Sequence, residues 1–514
     1  MTASPARRLS KTLCMCSATV ILLALSLSVM HASTAEAVPI GKGKQLFVDD
    51  FIIDSQENLS RILHHPQRYS GNPVLTGTEA WERWLLEVNG RPVLYDEETR
   101  QFRMYYGANL DDPTAPSGTR YKVCYAVSKD GVHWTRVPLG QVEWQGSRAN
   151  NILKWGENWM RRPNVIMDAA DPDMRRRFKM TYVDVVNGNA VICKAYSQDG
   201  IHWRLNGDGE PVRGGANSNL LGWDPHIGRY VLYPRVAGPP TRAGRSRSDA
   251  IGRSISADFV TWSEPEPVLV AEPSDRNRDF KGLAAFLYSD AYLGLLWIFE
   301  GEKSAEAELA FSRDGIRWQR VSPGEMFFHQ GGPESWDSNG ILPVAPVIHG
   351  NRIYFYYAGW NVPYTNDTVI KQRNGTSTTI APPNAALRRV REGWIENGTR
   401  KQWAIGLATL RLDGFVSLRA GHAAGALTTK PLEVAGATLA ANADVRGELR
   451  AEILDEDGNR LPGYGAGDCS PIRSDNMRHL VRWRGKTNVA DLRGKHVKLR
   501  FTLHDGDLYS FWFE

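Results

Sequence analysis

Apolar and polar positions alternate along much of this chain in short runs, each closed by a turn rich in Ser, Asp and Gly. Arg91-Pro92-Val93-Leu94-Tyr95-Asp96, Phe102-Arg103-Met104-Tyr105-Tyr106 and Tyr121-Lys122-Val123-Cys124-Tyr125-Ala126-Val127 follow one another, and the turn Ser128-Lys129-Asp130-Gly131-Val132-His133-Trp134 ends the series. A period of two is the signature of a β-strand with one buried face, so three strands before the turn and one after it predict a four-stranded antiparallel unit. The order returns as Pro163 to Met167, Phe178 to Tyr182 and Ala190 to Tyr196. Tyr230 to Tyr233, Tyr292 to Phe299 and Ile353 to Tyr357 supply strands of three later units.

The turn itself repeats. Ser197-Gln198-Asp199-Gly200-Ile201-His202-Trp203, Ser256-Ala257-Asp258-Phe259-Val260-Thr261-Trp262 and Ser312-Arg313-Asp314-Gly315-Ile316-Arg317-Trp318 follow the first copy, and Asp413-Gly414-Phe415-Val416 is a degenerate fifth. Asp-Gly supplies the positive φ of a tight hairpin, while the Ser and Asp side chains can bond free turn amides. Four-stranded units repeated at similar spacing predict blades around an axis. Two stacked β-sandwiches are the alternative, but they leave the regular spacing unexplained. The expected fold is all-β: a five-bladed β-propeller over residues 38–412 followed by a C-terminal β-sandwich over residues 413–514. Strand-like runs at Leu427 to Leu432, Leu439 to Ala443, Gly447 to Leu454 and Val497 to Leu503, and the aromatic segment Leu508 to Phe513, make up that second module.

The first 37 residues read differently. Arg7, Arg8 and Lys11 precede an apolar run from Leu13 to Met30, and Ala35-Glu36-Ala37 follows, the pattern of a signal peptide cleaved near Ala37. The run falls short of the roughly 20 residues that a spanning helix needs, so the expected location is secreted or periplasmic, with no membrane association after cleavage. Loss of Arg7, Arg8, Lys11 and Glu36 lowers the net charge from +5 to +3. A nearly neutral chain lacks the basic footprint of a nucleic-acid partner. Cys124, Cys193 and Cys469 lie far apart with no metal-ligand spacing, which predicts buried hydrophobes and neither a disulfide framework nor a metal site.

The Pro-Val-Leu-Tyr-Asp-Glu-Glu strand, the Arg-Met-Tyr-Tyr-Gly-Ala strand and the Ser-x-Asp-Gly-x-x-Trp turn resemble those of the five-bladed propellers of glycoside hydrolase families 32 and 43. The resemblance covers most of the mature chain, including a family 32-like sandwich, and its motifs are structural. It implies an axial funnel with three carboxylates from different blades, acting without an organic cofactor on an oligo- or polysaccharide. Cleaving a glycosidic bond needs an acid to protonate the leaving oxygen and a second carboxylate as nucleophile or base. The Asn-Asp-Pro and Arg-Asp-Pro motifs expected in blades one and two are absent. Arg161-Arg162-Pro163-Asn164 stands in the second.

The acids ahead of inner strands are Glu82, Glu87, Asp224, Asp279, Glu334 and Asp337, of which Glu87, Asp279 and Asp337 are the catalytic candidates. Glu82, Arg161, Arg162, Asp224, Lys281, Glu334 and Trp336 are candidate substrate-binding residues, each also readable as an ion pair, a turn or a surface charge. Trp155, Trp159, Trp223, Trp336 and Trp360 offer stacking faces for sugars, whereas Trp134, Trp203, Trp262 and Trp318 belong to the turns. The expected activity is a glycosidase acting on a furanoside or related glycan. Two readings compete with it: a non-catalytic glycan-binding propeller, and a glycoside phosphorylase or sialidase-like enzyme marked by an arginine cluster.

Overall fold

In the computed structural model, residues 37–514 are described apart from 110–120, 155–160, 187–188, 206–209, 239–247, 276–277, 301–303, 363–369, 374–375, 380–389, 391–392 and 394. The expected signal peptide and both Trp155 and Trp159 lie outside the described residues.

Five antiparallel sheets follow one another as blades. Blade 1 contains Leu86–Glu87 and Val93–Asp96 as its inner strand, then Gln101–Asn109, Tyr121–Ser128 and Thr135–Arg136. Arg161–Met167, Phe178–Val186, Asn189–Ser197 and Trp203–Leu205 form blade 2. Blade 3 is Gly215–Asp224, Arg229–Gly238, Ser248–Ser256 and Glu266–Leu269, and blade 4 is Arg278–Tyr288, Ala291–Glu300, Ser304–Ser312 and Gln319–Arg320. Blade 5 runs from Gly340–Pro343 and Val347–His349 through Arg352–Trp360 to Trp403–Arg411. Its outermost strand is Gln67–Arg68, delivered from the other end of the chain, with Arg68 opposite Ala408 and Gln67 opposite Thr409.

The ring closes through bonds between neighbouring blades. Val165 donates its N–H to Arg91 O at 2.8 Å, and Leu220 donates to Asn164 Oδ1 at 3.2 Å. Ala285 donates to Asn219 Oδ1 at 3.0 Å, the Trp297 indole to Pro343 O at 2.7 Å, and Ala345 to Gly90 O at 2.8 Å. No side chain fits at Gly90, because a Cβ there would stand 1.8 Å from Asn164 Oδ1.

The repeated turns lock the blades to one another. In the first, Ser128 Oγ accepts from the Gly131 amide at 2.9 Å and Asp130 Oδ1 from the Val132 and His133 amides at 2.9 and 2.8 Å. Gly131 and its counterparts take positive φ, and Phe259 adopts φ +64 where the glycine is missing. A tyrosine of the preceding blade then donates to the turn carbonyl: Tyr105 to Gly200 at 3.0 Å, Tyr196 to Phe259 at 3.4 Å, Tyr233 to Gly315 at 2.8 Å and Tyr356 to Gly131 at 2.7 Å. In the degenerate fifth copy the link is to a side chain instead, Tyr288 donating to Asp413 Oδ1 at 2.7 Å. The motif decays there because no outer strand follows it; the chain leaves the blade at this point for the second module.

That module is a sandwich built on two long strands, Leu439–Leu454 and His496–Phe513. Phe501 and Phe511 are ten residues apart, a span of about 33 Å in a straight strand, yet their ring centroids lie 5.3 Å apart. The strand therefore folds over on itself, closing two layers on Leu449, Ile453 and Leu503. The module also recruits the start of the described chain. Gln45–Leu46, Ile53–Glu57 and Ser60–Leu63 pair with Phe511 and Ser510, with Gly425–Thr429, and with Val416–Ala420. Residues 45–63, read from sequence with the propeller, thus belong by hydrogen bonding to the C-terminal sheet. Buried Asp413 ties the parts together by accepting from Lys44, Tyr288, Asn442 and Ser510.

Candidate active site

The inner strands of all five blades run the same way along the axis, so their first residues ring one mouth of it. Bulges interrupt three of them near that mouth, between Arg161 and Asn164, between Gly215 and Ser218, and between Phe280 and Gly282. A bulge re-aims the side chains it carries. Here those are Arg162, whose φ is +58, together with Asn217 and Lys281.

Among the described residues, these strands carry a carboxylate without a partner and a charged network. Glu87 is half-buried on the first inner strand, opposite Gly107, whose missing Cβ leaves room for the Glu87 side chain. Among the described residues its Oε1 is buried without a hydrogen-bond partner, and no ion pair engages it. Between blades 3 and 4, Lys281 Nζ lies 2.6 Å from Asp249 Oδ2 and 3.8 Å from Asp279 Oδ2, and Arg235 Nη1 lies 3.4 Å from Asp249 Oδ2. Asp279 is buried and Lys281 half-buried. Further polar atoms on these strands are buried with no partner: Asn89 Oδ1, Arg162 Nε, Asn217 Oδ1 and Asn219 Nδ2. An orphaned buried polar group costs about 1–3 kcal/mol, so these atoms are open to a hydrogen-bonding partner, ordered water or ligand.

Other candidates are engaged by side chains of their own blades. Asp337 and Glu82 occupy corresponding places in blades 5 and 1. Asp337 Oδ2 accepts from Arg68 Nε at 2.9 Å and from the Tyr357 hydroxyl at 3.1 Å, while Ser335 holds Oδ1. Glu82 accepts from Arg136 Nε at 2.8 Å, Arg136 Nη2 at 2.7 Å and the Tyr106 hydroxyl at 2.5 Å. Asp275 in blade 4 repeats the arrangement with Arg320 at 2.7 Å. In each case the arginine comes from the outermost strand, so a carboxylate ahead of the inner strand clasps the rim of its own blade. Burial, reinforced by the neighbouring carboxylate, pushes the Tyr357 hydroxyl above its usual range, and burial does the same to Tyr106, with Cys124 and Glu82 adding to it.

Asp224 ends its strand at the opposite mouth, where it accepts from the His226 amide at 3.0 Å and the Tyr292 hydroxyl at 2.6 Å. Glu334 is exposed, and Arg161 is half-buried opposite Val183. Trp336 stacks on Tyr357 with centroids 5.6 Å apart, and Trp360 is fully buried on Trp403 at 4.9 Å. Trp223, 46% exposed, lines the opposite mouth with Asp224's turn. Of the expected residues, Glu87, Arg162, Asp279 and Lys281 stand on the leading ends of the inner strands of blades 1, 2 and 4, Asn89, Asn217 and Asn219 lie on those of blades 1 and 3, and Arg235 and Asp249 join Lys281 from the outer strands of blade 3. The three asparagines carried no distinguishing signal, since Asn217 and Asn219 stand in the Gly-, Ala- and Ser-rich start of their strand and Asn89 precedes the turn glycine Gly90. Arg235 and Asp249 had none either, since both sit on second and third strands. Among the described residues no group of three or more His, Cys, Asp and Glu side chains could hold a metal ion, and no helix is long and apolar enough to cross a membrane.

No family model matches this chain, and no curated protein matches it. Among solved structures it is similar to a glycoside hydrolase at 14% identity and TM-score 0.42, covering 68% of this chain and 92% of that one. It is likewise similar to a structure described as a member of the GH130 family of mannoside phosphorylases, which contains hydrolases targeting β-1,2 mannosidic linkages in Candida mannan, at 14% identity and TM-score 0.42 over 68% and 94% of the two chains. An N-acetylgalactosamine deacetylase from F. plautii, solved with blood group B trisaccharide, shares 14% identity at TM-score 0.41 over 70% and 97%. Likeness at this level does not reach the chemistry of a site.

Proposed function

We propose that this chain is an exported carbohydrate-active enzyme that cleaves O-glycosidic bonds at the axial mouth around Glu87, in the manner of the family 32 and 43 propellers it resembles. The observation that carries the reading is the set of buried donors and acceptors without a partner on the leading ends of the inner strands, which also carry Glu87 and the Lys281-compensated Asp279. A sugar ring presents hydroxyls that both donate and accept, which suits the acceptors Glu87 Oε1, Asn89 Oδ1 and Asn217 Oδ1 and the donors Arg162 Nε and Asn219 Nδ2. Glu87, without a cation beside it, is assigned as the acid that protonates the leaving oxygen. Asp279, with Lys281 Nζ at 3.8 Å, is assigned as the carboxylate that works from the other side of the anomeric carbon. Asp337 is assigned to the scaffold, since both its oxygens are occupied.

A second reading is favoured by the basic side chains of blades 2 to 4. Arg162, Arg235 and Lys281 give the mouth a positive side that could accept orthophosphate in place of water, making the enzyme a phosphorylase. The deciding experiment incubates the mature protein with aryl furanosides, aryl pyranosides, fructans, arabinans and mannosides, with and without orthophosphate. Turnover lost in folded Glu87→Gln and Asp279→Asn but kept in folded Asp337→Asn supports the assignment, and dependence on orthophosphate selects the phosphorylase. Absence of turnover on every substrate, with glycan binding retained, returns the chain to the non-catalytic propeller. Export is tested by the mass of the protein recovered outside the cytoplasm, which should begin near residue 38.

A further inference from the structure

The other mouth of the axis has different chemistry. Its cavity, about 470 Å³, is walled by residues from all five blades, among them Val93, Ile166, Leu221, Phe286 and Val347. At its inner end lies Arg91. The backbone of Arg91 belongs to the inner strand region of blade 1, bonded to Asn164 and Val165 of blade 2, and its Nε donates to Leu220 O of blade 3 at 3.0 Å. The guanidinium therefore crosses the axis and forms the floor of the cavity. Its two terminal nitrogens have no acceptor among the described residues, and no carboxylate pairs with it.

The nearest acids on the cavity wall are otherwise placed. Asp168 is held by Lys179 Nζ at 2.8 Å and by the Tyr230 hydroxyl, and Glu97 is exposed. Burial alone pushes the Arg91 guanidinium down to about 10, with no neighbouring charge offsetting it. Arg91 is half-buried, and a cation drawn partly out of water with no carboxylate beside it among the described residues favours a counter-ion. The pairing group has to come through the mouth. A monoanion suits the guanidinium, because a second negative charge would find no second cation, and an aliphatic or aromatic remainder matches the apolar side chains among those lining the wall. Trp223 and Ile348, 46% and 45% exposed, extend the apolar surface to the lip.

We propose that this second mouth is a binding site for a small carboxylic acid with an aromatic or branched aliphatic tail, the carboxylate pairing with Arg91 and the tail lying between Phe286 and Trp223. The volume falls in the range of small-molecule sites.

The test titrates the full mature chain with 4-phenylbutyrate and with its neutral amide, 4-phenylbutyramide, by calorimetry and by tryptophan fluorescence. A charge-assisted bond of this kind corresponds to about tenfold to a hundredfold in affinity, so the carboxylate should bind at least tenfold more tightly. Arg91→Gln should remove that preference in a protein with unchanged circular dichroism. Arg91 also bridges blades, so Ile348→Asp provides an independent arm: at an exposed lip position it should weaken the carboxylate several-fold through like-charge repulsion and leave the amide unchanged. Equal affinity for the two compounds, no binding of either, or a carboxylate affinity indifferent to Ile348→Asp would each overturn the proposal.

Discussion

The outermost strand of blade 5 is fastened by the clasp between Arg68 and Asp337, and its strength is measurable. Asp337 is fully buried, Arg68 Nε lies 2.9 Å from it, and the arginine side chain is 31% exposed. Breaking a buried pair from one side costs about 3–5 kcal/mol. Water reaches the arginine here, so we expect Arg68→Met to cost about 2–3 kcal/mol, with the stranded carboxylate still served by Tyr357 and Ser335. Asp337→Asn keeps the volume and loses the charge, at about 2 kcal/mol. In the double variant the penalties overlap, which predicts a coupling energy of about 1.5 kcal/mol or more. Because a chain of several modules need not unfold in one step, the assay is native-state hydrogen exchange at pH 7. The amides of the ladder joining Gln67–Arg68 to Ala408 and Thr409 should exchange on the order of a hundredfold faster in Arg68→Met, while those of blades 2 and 3 stay near wild type. Additive single effects, or acceleration spread evenly over all five blades, would refute the view that this pair holds that strand in place.

Asp413→Ala should cost about 3–5 kcal/mol, since it deprives Lys44, Tyr288, Asn442 and Ser510 of a buried acceptor; a shift below 1 kcal/mol in urea unfolding would show that the two modules are joined by something else. The repeated turns predict an acid limb. Partial burial raises the Asp199 carboxyl, but bonds from the His202 ring and amide, the Ile201 amide and Ser197 outweigh it and bring it to about 2. A carboxyl depressed on folding stabilises above its unfolded value, near 4, and loses that contribution as pH falls toward 2. Asp199→Asn should therefore flatten the stability curve between pH 4 and 2, and an unchanged slope would contradict it. Burial raises the Cys124 and Cys469 thiols and brings Cys193 to about 11, so a thiol reagent at pH 8 should label none of the three until the protein unfolds; rapid labelling of the folded protein would count against their packing.

The blades were legible in the sequence because one turn carries both its own hydrogen bonds and the lock to the neighbouring blade, leaving Ser, Asp and Gly few substitutes. Asp413 kept its acid for a different reason, as the anchor of the second module, and so looked like a faded copy. The site was harder to read. Position ahead of an inner strand picks out Glu87 and Asp279, but it picks out Asp337 and Glu82 equally, and only the partners supplied by distant outer strands separate a clasp from a free carboxylate. Arg235 and Asp249 join Lys281 from second and third strands, where nothing local distinguishes them. The role of residues 45–63 was hidden too, because pairing between chain ends leaves no periodic trace.

Gln67–Arg68 leaves the ribosome before any complete blade and has nothing to pair with until Trp403–Arg411 has been made. More than three hundred residues of waiting separate the two. The earliest-made strand of the propeller is thus the last to be seated, so blades 1 to 4 can form in order during synthesis while the ring itself shuts only after nearly the whole chain has emerged.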